Sequence, residues 1–218
     1  MRGLLVKDLY LLGRQKNYIL CLLVISALLL LRADDAVFVS SYMTIVGSFL
    51  ALVTISYDEM NHGRAFLFTL PVTRRMYVTS KYLTGALTCA AAWLLSVVFT
   101  GAALAAGRIQ MSWEEWLFSC AAFLGVGLFF DALMIPIQLK FGADRGRIVL
   151  LVVLLACLFL GQGLASLMDG LLVDAGGPLA FLNSLSPLAF GALLAVLVLI
   201  SLAVSWLISV GIMRKKEF

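Results

Sequence analysis

The chain has 218 residues, 63% of them hydrophobic and only 13% charged, with a mean hydropathy of +1.07. Soluble domains carry about a quarter charged residues, and one water-soluble core of this size has no room for so much apolar surface, so the composition excludes an ordinary soluble protein and makes lipid the natural solvent. The net charge of +4 does not point to nucleic acid, because the basic residues stand at the ends of apolar runs and are not gathered on a polar domain.

Residues 1–16 read as an amphipathic helix. On a helical wheel Leu5, Val6, Leu9 and Leu12 share one side, and Lys7, Asp8, Arg14 and Gln15 fall toward the other. Such a helix is expected to lie on the inner membrane surface before the chain turns into the bilayer; the alternative is that it extends the first span. A crossing needs roughly 20 mostly apolar residues, and six stretches are candidates: 17–31, which is short unless the residues before it continue the helix, 36–57, 82–106, 116–139, 148–167 and 188–213. No cleavable leader is expected, since no small-residue cleavage site follows the first run.

The longest polar stretch, 58–81, separates the second and third candidates. Pro71 disfavours helix in the residue before it, and Thr69 or Thr73 is placed to cap a helix restarting near Arg74, so a helix–break–helix element is expected. Between the fifth and sixth candidates, residues 168–187 are punctuated by Gly and Pro yet remain apolar over 178–185. Irregular backbone near lipid needs cover, which predicts a short re-entrant or interfacial segment. With no internal repeat or linker, the chain reads as one all-α integral membrane domain over 1–218.

Charge orients the six spans. All but two of the 16 lysines and arginines, Arg32 and Arg108, fall on one side, while the opposite loops carry Asp34, Asp35, Glu114, Glu115, Asp169 and Asp174. Basic short loops stay cytoplasmic, so both termini are expected inside; five or seven spans would scramble the split. Trp113 and Trp116 suit the outer interface.

Little here carries covalent chemistry. The one histidine, His62, cannot build paired metal ligands, and neither HExxH, GxSxG nor a GxxxxGK[ST] phosphate loop occurs. The chain is therefore read as no enzyme, with no means of its own to hydrolyse nucleotide. Cys21, Cys89, Cys120 and Cys157 each lie within an apolar run and read as small membrane-helix residues, not disulfides or metal ligands. Asp131 is the one acid well inside a span, about 13 Å along the helix from its cytoplasmic end. Gln138, seven residues on, shares its face, and Pro136 loosens the backbone between them. An ionisable group at that depth suggests a translocation path; the alternative is a structural carboxyl, neutral or bonded to neighbouring helices. Small residues at helical spacing, Thr84, Thr88, Ala92, Ser96 and Thr100, and again Ser201, Ser205 and Ser209, are expected to pack helices closely; the alternative is a polar wall of a translocation path.

Several stretches resemble a known family. Ser56-Tyr57-Asp58-Glu59, then Gly63, then Thr69-Leu70-Pro71-Val72-Thr73-Arg74, then Ser80-Lys81-Tyr82-Leu83 are similar to the small six-helix permeases of ATP-binding-cassette exporters of the second class, the ABC-2 type. The opening Gly3 to Tyr10 and Ser186-Pro187-Leu188 also fit, so the resemblance covers nearly the whole chain. It implies a permease in the bacterial plasma membrane that pairs with a second copy or a paralogous permease and moves a hydrophobic or amphipathic peptide, lipid or drug outward. It implies no cofactor in this chain, with ATP and Mg held by a separate dimeric ATPase. By that resemblance 58–81 is a cytoplasmic coupling loop, and Asp58, Glu59, Arg64, Phe66, Pro71, Arg74 and Arg75 are the coupling candidates, with Phe68 a further apolar anchor. Two other readings stay open: an ion-gradient-driven transporter using Asp131, and a non-transporting immunity or scaffold protein.

Overall fold

A computed structural model describes residues 2–33, 36–59, 63–69, 71–109, 111–172 and 187–216, with backbone alone at 2, 31–33, 64–65, 68, 143–172 and 187–190. Among the described residues the regular structure is entirely helical. The elements are α1 (Arg2–Gly13), α2 (Lys16–Ala33), α3 (Ala36–Glu59), α4 (Gly63–Thr69), α5 (Arg74–Ala105), α6 (Trp113–Leu172) and α7 (Pro187–Lys215).

Four described helices are long and apolar enough to cross a membrane: Ala36–Glu59, Arg74–Ala105, Trp113–Gly142 and Gly191–Lys215. A fifth arises if α1 and α2, bent by 59° across Arg14 and Gln15, count as one broken span. The predicted fifth crossing, 148–167, falls on helical backbone whose side chains lie outside the described residues. Most of the predicted re-entrant segment, 173–186, also lies outside them.

α5 begins about two turns before the predicted start of its span. Thr73 is its N-cap and accepts a hydrogen bond from the Met76 amide at 3.3 Å. At 32 residues the helix is about 48 Å long, so it outruns the roughly 30 Å hydrocarbon layer. Its other end closes by a Schellman turn: the Gly107 amide donates to Leu104, the Arg108 amide to Ala103, and Gly107 takes φ 70°. α6 then opens with a capping box. The Glu115 amide donates to Ser112 Oγ, and the Ser112 amide to Glu115 Oε2. Trp113 and Trp116 stand edge-to-face beside it, centroids 5.6 Å apart.

α3 packs against both α5 and α6 at the centre of the bundle. The crossing of α3 and α5 is tight because its residues are small: a Cβ on Gly47 would sit 2.1 Å from that of Ala92. Thr84, Thr88, Ala92, Ser96 and Thr100 are all buried, so this stripe packs helices. Two apolar clusters result. One, around Met43, Leu104 and Trp116, fills the half next to the α5–α6 turn; the other, around Ile55, Tyr77 and Leu139, fills the half next to α4.

Pro136 lies inside α6 and has no amide hydrogen, so the carbonyl four residues back, that of Ala132, loses its helical donor. Ser205 of α7 supplies the replacement through its hydroxyl. The Tyr82 hydroxyl shares hydrogen bonds with Ser205 and with Ser209, so α5, α6 and α7 meet at one small polar knot.

Candidate functional site

One residue on the polar side of α1 takes a place the wheel does not indicate. Val6, Leu9 and Tyr10 are exposed and so is Arg14, but Asp8 is fully buried: the helix turns its one acid into the protein. The reason is an ionic partner at the far end of the sequence separation. Lys81 of α5, itself 1% exposed, holds both carboxylate oxygens of Asp8 at 2.8 Å and one of Asp58 at 2.7 Å.

Around this pair a closed cluster forms where α1 packs against the α4-side ends of α3 and α5. Lys7 bridges Asp8, at 3.4 Å, and Asp58. The Tyr77 hydroxyl donates to Asp58 at 3.2 Å, the Thr84 hydroxyl to Asp8 at 3.3 Å, and Lys81 reaches Thr54 Oγ1 at 3.3 Å. Two carboxylates and two ammonium groups balance, and their remaining donors and acceptors find polar neighbours, the condition under which a buried ionic group is tolerated. Gln15 adds an outer tie, its amide donating to the Tyr57 hydroxyl at 2.9 Å. Thus α1, α3 and α5 are joined by charge as well as by packing.

The acidic pair at the end of α3 therefore divides. Asp58 points into the cluster. Glu59 turns the other way, against the break in α6 at Gly142, where φ is 81° and ψ 179°. Its carboxylate oxygens lie 2.7 and 2.9 Å from where a Cβ on Gly142 would sit, beside the start of the next helical run, where a negative charge suits the helix dipole. Lys216 stands 3.9 Å from Glu59 and donates to the Leu139 carbonyl at 3.1 Å. Arg74 is engaged within the chain as well. It donates to the carbonyls of Met213, at 2.9 Å, and Arg214, satisfying groups that the C-terminus of α7 leaves open.

What faces outward on this side is Phe66, 69% exposed on α4, together with exposed Pro71 and Arg75. The Arg64 and Phe68 side chains lie outside the described residues. The seven coupling candidates are thus neighbours, but only Phe66, Pro71 and Arg75 among the described ones present open surface.

Asp131 and Gln138 sit deeper. Asp131 is 1% exposed, and neither of its oxygens has a hydrogen-bond partner among the described residues. It lies against α5 at Gly85, where an added Cβ would come within 3.3 Å of Oδ2. Gln138 donates to the Leu52 carbonyl at 2.9 Å and to Ser56 Oγ at 2.7 Å, and its own Oε1 has no partner among the described residues. A groove of about 550 Å³ runs between α6 and α7 past Pro136, Lys140, Ser201 and Ser205, and neither Asp131 nor Gln138 lines it.

Reasoning from sequence missed Lys7, Asp8 and Lys81 as a cluster. Their signal was faint: one acid on an otherwise apolar helix, and one lysine already counted as an anchor of the positive side.

No curated protein matches the chain. The family described as ABC-2 family transporter protein matches residues 3–214, from the start of α1 to the end of α7 and so across every element of the bundle and its charge cluster. The chain is a multi-pass membrane protein of the ABC-2 transporter family, a family of permease-type subunits whose membership implies association with an ABC ATPase.

Proposed function

We propose that this chain is the membrane-spanning permease subunit of an ABC exporter, moving a hydrophobic or amphipathic substrate outward on ATP hydrolysed by a separate ATPase. Family membership over residues 3–214 is the observation that carries this reading. In it the chain crosses a bacterial plasma membrane six times, with α2 as the first span, 148–167 as the fifth and both termini in the cytoplasm. The one-sided distribution of lysine and arginine supports that topology. ATP and Mg reside on the ATPase dimer, and the permease pairs with a second copy or a paralogous subunit.

The coupling face is α4 with the break that follows it. Phe66 offers an apolar anchor, and Arg75 a charge beside it, of the kind that seats one protein in the groove of another. Asp58, Glu59 and Arg74 act from behind: they hold the ends of α3, α5, α6 and α7 in fixed relation, so a push on α4 reaches several spans at once. ATP binding shifts the population of inward and outward states by favouring the conformation in which this face is displaced. A photo-crosslinking residue, p-benzoylphenylalanine, at position 66 is expected to capture the ATPase in membranes, whereas the same residue at lipid-facing Leu199 is not. Capture from neither position, with both proteins present and folded, would remove the coupling face from α4.

One observation favours a second reading. Asp131 is a buried carboxyl without a hydrogen-bond partner among the described residues, which suits a gradient-driven transporter that binds an ion there.

A further inference from the structure

We infer that the outward face of α1 is a docking surface for anionic phospholipid of the inner leaflet. Val6, Leu9 and Tyr10 are 65%, 49% and 69% exposed and share one side of the helix. Between residues 2 and 16 the only acid is Asp8, and the charge cluster with Lys81 removes it from that surface. What remains outside is apolar area with positive charge alone: Arg14 and Lys16 are exposed and make no ion pair among the described residues. Both stand at the 59° bend where α1 meets α2; the inference rests on the six-span topology proposed above, in which α2 enters the bilayer and the bend lies at headgroup level.

Apolar side chains flanked by Lys and Arg are the composition that binds a negatively charged membrane surface. The bonds of Asp8 fix the rotation of α1, and the hydrogen bond from Gln15 to Tyr57 holds the bend between Arg14 and Lys16. The occupant is thus an anionic lipid headgroup with its acyl chains under Val6 and Leu9.

The test uses the full chain in nanodiscs, with bimane on Tyr10→Cys in a Cys21→Ala/Cys157→Ala background. Quenching by doxyl-labelled phosphatidylglycerol is compared with quenching by doxyl-labelled phosphatidylcholine at equal mole fraction. Each basic side chain near an anionic surface contributes a preference of roughly fivefold. The anionic lipid is expected to quench several-fold more strongly, and Arg14→Gln/Lys16→Gln is expected to bring the two lipids level. Equal quenching in the parent, or an unchanged preference in the double variant, would overturn the inference. So would the absence of quenching by either lipid, which would leave the face to a cytoplasmic partner. None of these outcomes depends on an ATPase, so the exporter reading stands or falls separately.

Discussion

Lys81 is a strongly hydrated ion held at 1% exposure, and what keeps it there is the pair of carboxylates around it. Replacing it by an apolar residue strands Asp8 and Asp58 with only Lys7 to balance them. Breaking a buried pair in this way costs about 3–5 kcal/mol. Lys81→Met is therefore expected to lower the unfolding temperature of the purified protein sharply, and Asp8→Asn/Lys81→Met, which restores charge balance with Lys7 and Asp58, to recover much of the loss. If Lys81→Met costs no more than exposed Lys215→Met, the cluster contributes nothing to stability. Gly142 is a second sensitive position. Its backbone lies in a region open almost only to glycine, which costs another residue about 1–3 kcal/mol, and a Cβ would displace Glu59 besides. Gly142→Ala should thus destabilise more than Gly3→Ala, where nothing lies within 4 Å, in the same thermal assay.

The helices were legible where the membrane itself imposes the pattern. Bilayer thickness sets the length of an apolar run, so the spans in α3, α5, α6 and α7 could be placed along the chain from sequence alone. The cap at Thr73 was legible too, because Pro71 and a hydroxyl residue two positions on leave few other starting points. Side-chain pairing across helices was not. Asp8 and Lys81 are 73 residues apart, and a wheel gives the side on which a charge sits, not what will lie opposite. Ser112 and Glu115 formed a readable capping box, but Glu115 was counted as outer-loop charge, which hid its local bond. Likewise Pro136 announces an open carbonyl at Ala132, whereas nothing in the sequence selects Ser205 as its donor. That relationship predicts a coupling. Ser205→Ala alone leaves a buried carbonyl unpaired, at about 1–3 kcal/mol. In a Pro136→Ala background the restored amide should reduce that cost substantially. Additive effects of the two substitutions would show that the hydroxyl does not serve this carbonyl.

At the scale of the molecule, the charge cluster, the Glu59–Gly142 contact and the Arg74 bonds to α7 gather the α4-side end of the bundle into one unit, with α4 mounted on it. Movement imposed at Phe66 would then be shared by α3 and α5, and not absorbed in a loose loop. The orientation is open to test by cysteine labelling from either side of sealed vesicles: a reporter at Arg108 should react with impermeant reagent only from outside, and one at Arg75 only from inside. The reverse, or labelling of both from one side, would break the six-span account. Coupling to a separate ATPase is tested by co-expressing the chain with the ATPase encoded nearest to it, purifying on a tag carried by this chain, and measuring ATP hydrolysis for wild type, Phe66→Ala, Glu59→Ala and Arg74→Ala. The account predicts a stable, hydrolysing complex in wild type, weakened assembly in Phe66→Ala, and assembly with altered hydrolysis in the other two. A folded membrane protein that retains no ATPase would contradict it and turn attention to Asp131 and gradient-driven transport.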